Sequence, residues 1–107
     1  MGEREVMIYL DPEERLNRYR HYHVWEHGSI VEFRIQYEAM IGEKWHAIVR
    51  YDSAHGNPHK DTLHPDGSET KEWFTFYSNA EVLTIGQRDI MENWPMYRAR
   101  YERGMQR

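Results

Sequence analysis

The sequence predicts an α+β domain in which an antiparallel sheet of four to five strands, arranged as a meander, packs against a C-terminal helix. Three observations carry this expectation. Between Glu5 and Asp52 apolar and polar residues alternate with the two-residue period of strands. Turn residues interrupt that alternation at His27-Gly28 and Ile41-Gly42-Glu43. From Ser78 onward the apolar spacing becomes helical. A chain of 107 residues is of ordinary size for one core, and residues 1–107 are expected to form a single domain without linker or repeat.

The first strand is expected over Glu5 to Leu10, with Val6, Ile8 and Leu10 on one side, followed by a short helical turn at Asp11-Pro12-Glu13-Glu14. Arg18 to Glu26 reads as the second strand and ends at His27-Gly28. The clearest alternation follows: Val31, Phe33, Ile35, Tyr37 and Ala39 point to the core, while Glu32, Arg34, Gln36 and Glu38 point to water. In the fourth strand Trp45, Ala47, Val49 and Tyr51 continue the buried side, and His46, Ile48, Arg50 and Asp52 take the other. Ser53 to Thr70 shows no apolar period and reads as a long loop, interrupted at most by a brief hairpin. Trp73 to Tyr77, aromatic-rich, is the expected fifth strand.

Ser78 and Glu81 have the spacing of a capping box, so a helix starts there. Leu83, Ile90, Trp94, Tyr97 and Tyr101 form its apolar stripe, flanked by Val82, with Arg88 and Glu92 on the exposed side. Gly86 interrupts the stripe, marking either a close approach to the sheet or a weak point in the helix. Pro95 lacks an amide proton and disfavours helical geometry at Trp94, which predicts a kink or a break near Pro95.

Composition excludes several classes of function. The absence of Cys removes thiol chemistry and disulfides, which fits a reducing compartment. No basic segment leads into an apolar stretch, so neither signal peptide nor membrane contact is expected and the predicted location is cytoplasmic. A formal charge of −4 exerts no general pull on nucleic acid, so any such contact requires a local basic patch. Arg98, Arg100, Arg103 and Arg107 are the candidate patch, although the favoured reading is that they complement the negative end of a helix dipole.

The chemistry-bearing segment runs from Arg50 to His64 and gathers three His and two Asp. Imidazole titrates near neutrality and also binds transition metals, so this segment suits proton transfer or coordination. Asp52, His55 and His59 are the candidate catalytic residues, with Asp52 orienting a histidine that acts as general acid or base. Arg50 offers a donor fork for phosphate or carboxylate, although pairing with Glu32 or Glu38 on the neighbouring strand competes. Tyr51, Asp61 and His64 complete the expected ligand-binding set. No standard metal-ligand spacing appears, so no metal or other cofactor is assigned and folding is expected without one. A plainer reading makes Asp52 a turn cap and His55-Gly56-Asn57-Pro58 an ordinary turn. His21, His23 and His46 approach the face of Asp52 in some strand registers.

The residues Arg50-Tyr51-Asp52, Ala54-His55-Gly56, His59 and Asp61, with the later Asp89-Ile90-Met91-Glu92-Asn93-Trp94, resemble a family of small uncharacterised prokaryotic proteins that join such a meander to such a helix. The strand-end Arg-Tyr-Asp and its His-bearing continuation are similar, more distantly, to the TumE-like toxins of toxin-antitoxin modules. That second resemblance implies a β-rich toxin paired with a cognate antitoxin, with Arg50, Asp52, His55 and His59 at the matching positions. Three functional expectations follow: a toxin-like protein acting on nucleic acid or nucleotide through the His/Asp segment; a non-enzymatic interaction module or homodimer with a structural loop; and a metal-binding domain using His55, His59, Asp61 or His64.

Overall fold

A computed structural model describes residues 1–106, apart from the side chain of His55. Six strands follow one another in space as in sequence, each antiparallel to the last: β1 (Gly2–Tyr9), β2 (Asn17–Glu26), β3 (Ser29–Ile41), β4 (Lys44–Asp52), β5 (His59–Leu63) and β6 (Glu69–Trp73). A 3-10 turn at Ala54–Gly56 links β4 to β5, and the helix α1 (Asn79–Met105) closes the chain. The hairpin turns are built where the chain tolerates left-handed backbone: Gly42 and Glu43, between β3 and β4, have φ of 59° and 65°.

The sheet therefore has six strands rather than four to five. The segment expected as a loop is largely the β5–β6 hairpin. It escapes the apolar pattern because β5 buries His59 and Asp61 on one face and turns Lys60 and Thr62 to the other. A strand that buries polar groups among polar partners has no alternation to read. The last strand ends at Trp73, and Phe74 to Tyr77 form the turn into α1 instead of a strand. Asp11 to Glu14 are likewise a turn, not helical, with Asp11 accepting from the amides of Leu16 and Asn17.

One face of the sheet meets α1, which packs on β3 and β4. Phe33, Ile35, Tyr37, Ala39, Val49 and Tyr51 lie under it, as the alternation requires. Two β-bulges displace the rest. The pairing passes from Val24↔Glu32 to Trp25↔Ile30, which leaves Val31 without a partner and 46% exposed instead of in the core. It passes from Glu38↔Ala47 to Tyr37↔Val49, which leaves Ile48 unpaired. Before that bulge the faces are exchanged: Trp45 stacks on Arg18 across the outer face, and His46 lies against Tyr101 of the helix. A one-residue insertion inverts every side chain that precedes it.

The capping box opens α1 as expected, with Glu81 N donating to Ser78 Oγ and Ser78 N donating to Glu81 Oε1. The helix is unbroken at Pro95. Its missing amide would have bonded the carbonyl of Met91, and both residues are exposed, so water can satisfy that oxygen. Gly86 marks the close approach. A methyl group there would lie 2.8 Å from both Ile35 Cδ1 and Tyr51 Cγ. Gly86→Ala should gain about 1 kcal/mol of helix propensity and lose roughly 1–3 kcal/mol to overpacking, a net loss of up to about 2 kcal/mol. A raised urea midpoint would show that the helix shifts freely over the sheet.

Candidate functional site

The outer face of the sheet, away from α1, is polar and ordered by strand register into transverse rows. One row runs Glu5, Tyr22, Arg34, Asp52, His59, Trp73. The next runs Met7, Arg20, Gln36, Arg50, Asp61, Lys71. Asp52 and His59 are thus direct cross-strand partners, and Asp61 lies two residues further on the same face. Cross-strand neighbours on one face of a pair stand close enough for their side chains to meet.

They meet here. His59 Nε2 is 3.2 Å from Asp52 Oδ1 and 3.4 Å from Asp61 Oδ2. All three residues are buried, His59 to 2% exposure. Nδ1 of His59 lies 3.2 Å from the carbonyl of Asn57, so a proton on Nδ1 has its acceptor and Nε2 turns to the carboxylates. Lys71 Nζ donates to Asp61 Oδ1 at 2.7 Å, and Arg34 Nε stands 3.8 Å from Asp52 Oδ2. The amide of Ala54 donates to Asp52 Oδ1, so Asp52 is a turn cap as well as a member of the cluster. Trp73 covers the imidazole, with ring centroids 4.9 Å apart.

The other sequence candidates divide. Arg50 is on the outer face beside Asp61, but its Nε donates to Gln36 rather than to Glu32 or Glu38. Glu38 pairs with Arg18 at 2.6 Å. Tyr51 points to the opposite face and donates to Asp89, outside any surface ligand site. His64 sits at the β5–β6 turn and bonds Thr70. The His55 side chain lies outside the described residues. His21, His23 and His46 pair with Ile35, Phe33 and Ala39 and so share the inner face, opposite Asp52. His21 bridges Tyr19 and His23 at 2.7 and 2.6 Å. Burial, with His23 and Arg4 nearby, holds its imidazole below the ordinary value.

A second polar cluster, between sheet and helix, was missed in the sequence. Asp89 accepts from Tyr51, Tyr97 and Asn93 at 2.5 to 2.8 Å, and Lys60 Nζ lies 2.8 Å from Tyr97 Oη and 3.4 Å from Asp89. Burial opposes ionisation of Asp89, but those hydrogen bonds and Lys60 outweigh it and hold the carboxyl below its ordinary value. Burial and the same carboxylate push the Tyr51 hydroxyl far up. The spacing of Asp89, Asn93 and Tyr97, each four residues from the last, was the available signal, since it places them on one helix face. Arg98 is structural too: it donates to the carbonyls of Leu16 and Met40 and to Asn17 Oδ1, rather than forming a basic patch. Arg107 lies outside the described residues.

These features define an α+β protein, a six-stranded antiparallel meander with one helix, whose outer sheet face carries a buried histidine between two carboxylates. The chain belongs to the family of the domain of unknown function DUF7718, whose model matches residues 1–107. No curated protein and no solved structure matches it. No helix among the described residues is long and apolar enough to cross a membrane.

Proposed function

We propose that the chain acts on a phosphate-bearing ligand, a nucleotide or nucleic acid, held on the outer face of the sheet, as a toxin-like protein of the cytoplasm. One observation carries the reading: on the outer face the two transverse rows flank Asp52, His59 and Asp61 with Arg20, Tyr22 and Arg34 on one side and Lys71 and Trp73 on the other. Two shallow depressions, of about 760 and 570 Å³, share Tyr22 and Arg34. Guanidinium groups match phosphate oxygens bidentately, and aromatic faces stack on unpaired bases.

The burial of His59 under Trp73 alters its expected role. It does not reach solvent, so it positions Asp52 and Asp61, while Arg34, 57% exposed, is the group best placed to touch a phosphate. A cognate antitoxin, in this reading, is the partner that covers the same face.

Titration of ¹⁵N-labelled protein with short RNA and DNA oligonucleotides tests this. Shifts are expected at Tyr22, Arg34, Arg50 and Trp73, with binding weakened by salt. Arg34→Ala should weaken it about tenfold while the melting temperature stays within a few degrees, as roughly 1–3 kcal/mol per phosphate or base contact implies. Shifts confined to the helix side, or none with RNA, DNA or mononucleotides, would end the proposal.

A further inference from the structure

We infer that Asp52, His59 and Asp61 bind a first-row divalent transition-metal ion through one carboxylate oxygen of each aspartate and Nε2 of the histidine. One ligand atom from each residue lies within 4.8 Å of the other two, and all three residues are buried. Convergence of acidic groups alone would not carry this. The independent observation is the direction of His59: 2% exposed, its Nδ1 engaged with the Asn57 carbonyl, it aims Nε2 at two carboxylate oxygens. With the proton on Nδ1, Nε2 and one oxygen of each carboxylate face one another as acceptors, and of these Asp52 Oδ1 also accepts from the Ala54 amide. Three lone pairs in so small a volume repel one another, and a cation held among them turns that repulsion into attraction.

The groups behind the ligands support the same assignment. A metal-binding imidazole ordinarily donates its other N–H to a carbonyl, and ligating carboxylates are held by donors on their free oxygens. Here Nδ1 has the Asn57 carbonyl. Lys71 holds Asp61 by Oδ1, which leaves Oδ2 toward Nε2. Arg34 faces Asp52 Oδ2, and Oδ1, which the Ala54 amide holds by donating to it, lies toward Nε2. The imidazole nitrogen selects against Mg²⁺ and Ca²⁺, which prefer oxygen alone, and favours Mn²⁺, Fe²⁺, Co²⁺ or Zn²⁺. The functional consequence rests on the reading above: such an ion would fix Asp52, and through its Oδ2 the Arg34 that faces it, beneath a bound phosphate. The binding itself stands on the ligands.

Lys71 and Arg34 offset the two carboxylates without an ion, so the metal-free protein should remain folded after EDTA. Untagged, EDTA-treated protein titrated with Co²⁺, and separately with Zn²⁺, should bind one equivalent of either, and Co²⁺ should develop visible d–d bands. In long-range ¹H–¹⁵N spectra His59 should carry its proton on Nδ1, and Zn²⁺ should shift Nε2. Asp61→Asn should weaken binding more than about 100-fold, beyond the 10–100-fold cost of losing a supporting contact, whereas His21→Ala with His23→Ala should leave it unchanged. Absence of saturable binding, full retention in Asp61→Asn, or loss in the His21/His23 variant would overturn the assignment. So would a His59 ring protonated on both nitrogens and indifferent to Zn²⁺, a result read on the wild-type chain even where a variant fails to fold. No arm contains RNA; metal binding by a protein that binds no oligonucleotide would uphold this site and remove only the phosphate-ligand reading.

Discussion

Asp89→Ala is expected to destabilise the protein by about 3–5 kcal/mol, the usual cost of removing one partner from a buried ion pair. The carboxylate is the common acceptor of Tyr51, Tyr97 and Asn93 and the counter-ion of Lys60, whose side chain is only 13% exposed. Without it, three donors lose their acceptor between sheet and helix, and the Lys60 ammonium keeps only the Tyr97 hydroxyl. Asp89→Asn keeps the shape and isolates the charge. The folded-state carboxyl lies below its ordinary value, so its contribution is present above the unfolded value of about 4 and is lost as pH falls through the folded one. Burial works against the Lys60 ammonium, yet Tyr97 and Asp89 raise it overall; its contribution is full below about 10.4 and lost as pH rises through the folded value. Urea midpoints measured from pH 7 downward should therefore fall less steeply in Asp89→Asn than in the wild type. Identical acid limbs would mean that Asp89 contributes shape and no charge.

How far the sequence reveals this molecule depends on whether a residue's surroundings are local. The capping box at Ser78, the alternation from Phe33 to Ala39 and the hairpin turns are decided within a few residues, and each was readable. The bulges at Val31 and Ile48 were not. Nothing in the apolar pattern near Trp45 announces an extra residue, because Ile48 is itself apolar and stays buried after losing its partner. The strand β5 failed for the opposite reason: its buried residues are ionisable, and their partners, Asp52 on β4 and Lys71 on β6, come from the strands on either side. The same string of His and Asp that hid the strand did draw attention to the segment. Composition could point to Asp52, His59 and Asp61, but only the register could separate them from Tyr51 and His64. Two-residue spacing puts Asp61 beside His59, and cross-strand pairing puts Asp52 opposite it.

Ile90→Ala should cost about 2–5 kcal/mol, in the upper part of that range. Ile90 is fully buried, one turn beyond Gly86 and two turns before Tyr97, on the face of α1 that rests on β3 and β4. Truncation removes three carbons from a site with little freedom to close over the gap. Gly86 already stands at contact distance from the sheet on one side, so the helix cannot settle further there. Asp89, the residue before it, is tied to Tyr51, and Arg98 fixes the helix to Leu16 and Met40 two turns later. A cavity that cannot collapse keeps its whole cost, near 24 cal/mol per Å³ in addition to the lost transfer term. Ile90→Val, which removes one carbon, should cost only about 0.5–1.5 kcal/mol. At roughly 4–8 °C per kcal/mol for a domain of this size, the two variants should separate clearly in a thermal melt. Equal melting temperatures for wild type, Ile90→Val and Ile90→Ala would mean that the helix is not pinned to the sheet and that its packing on β3 and β4 is wrong.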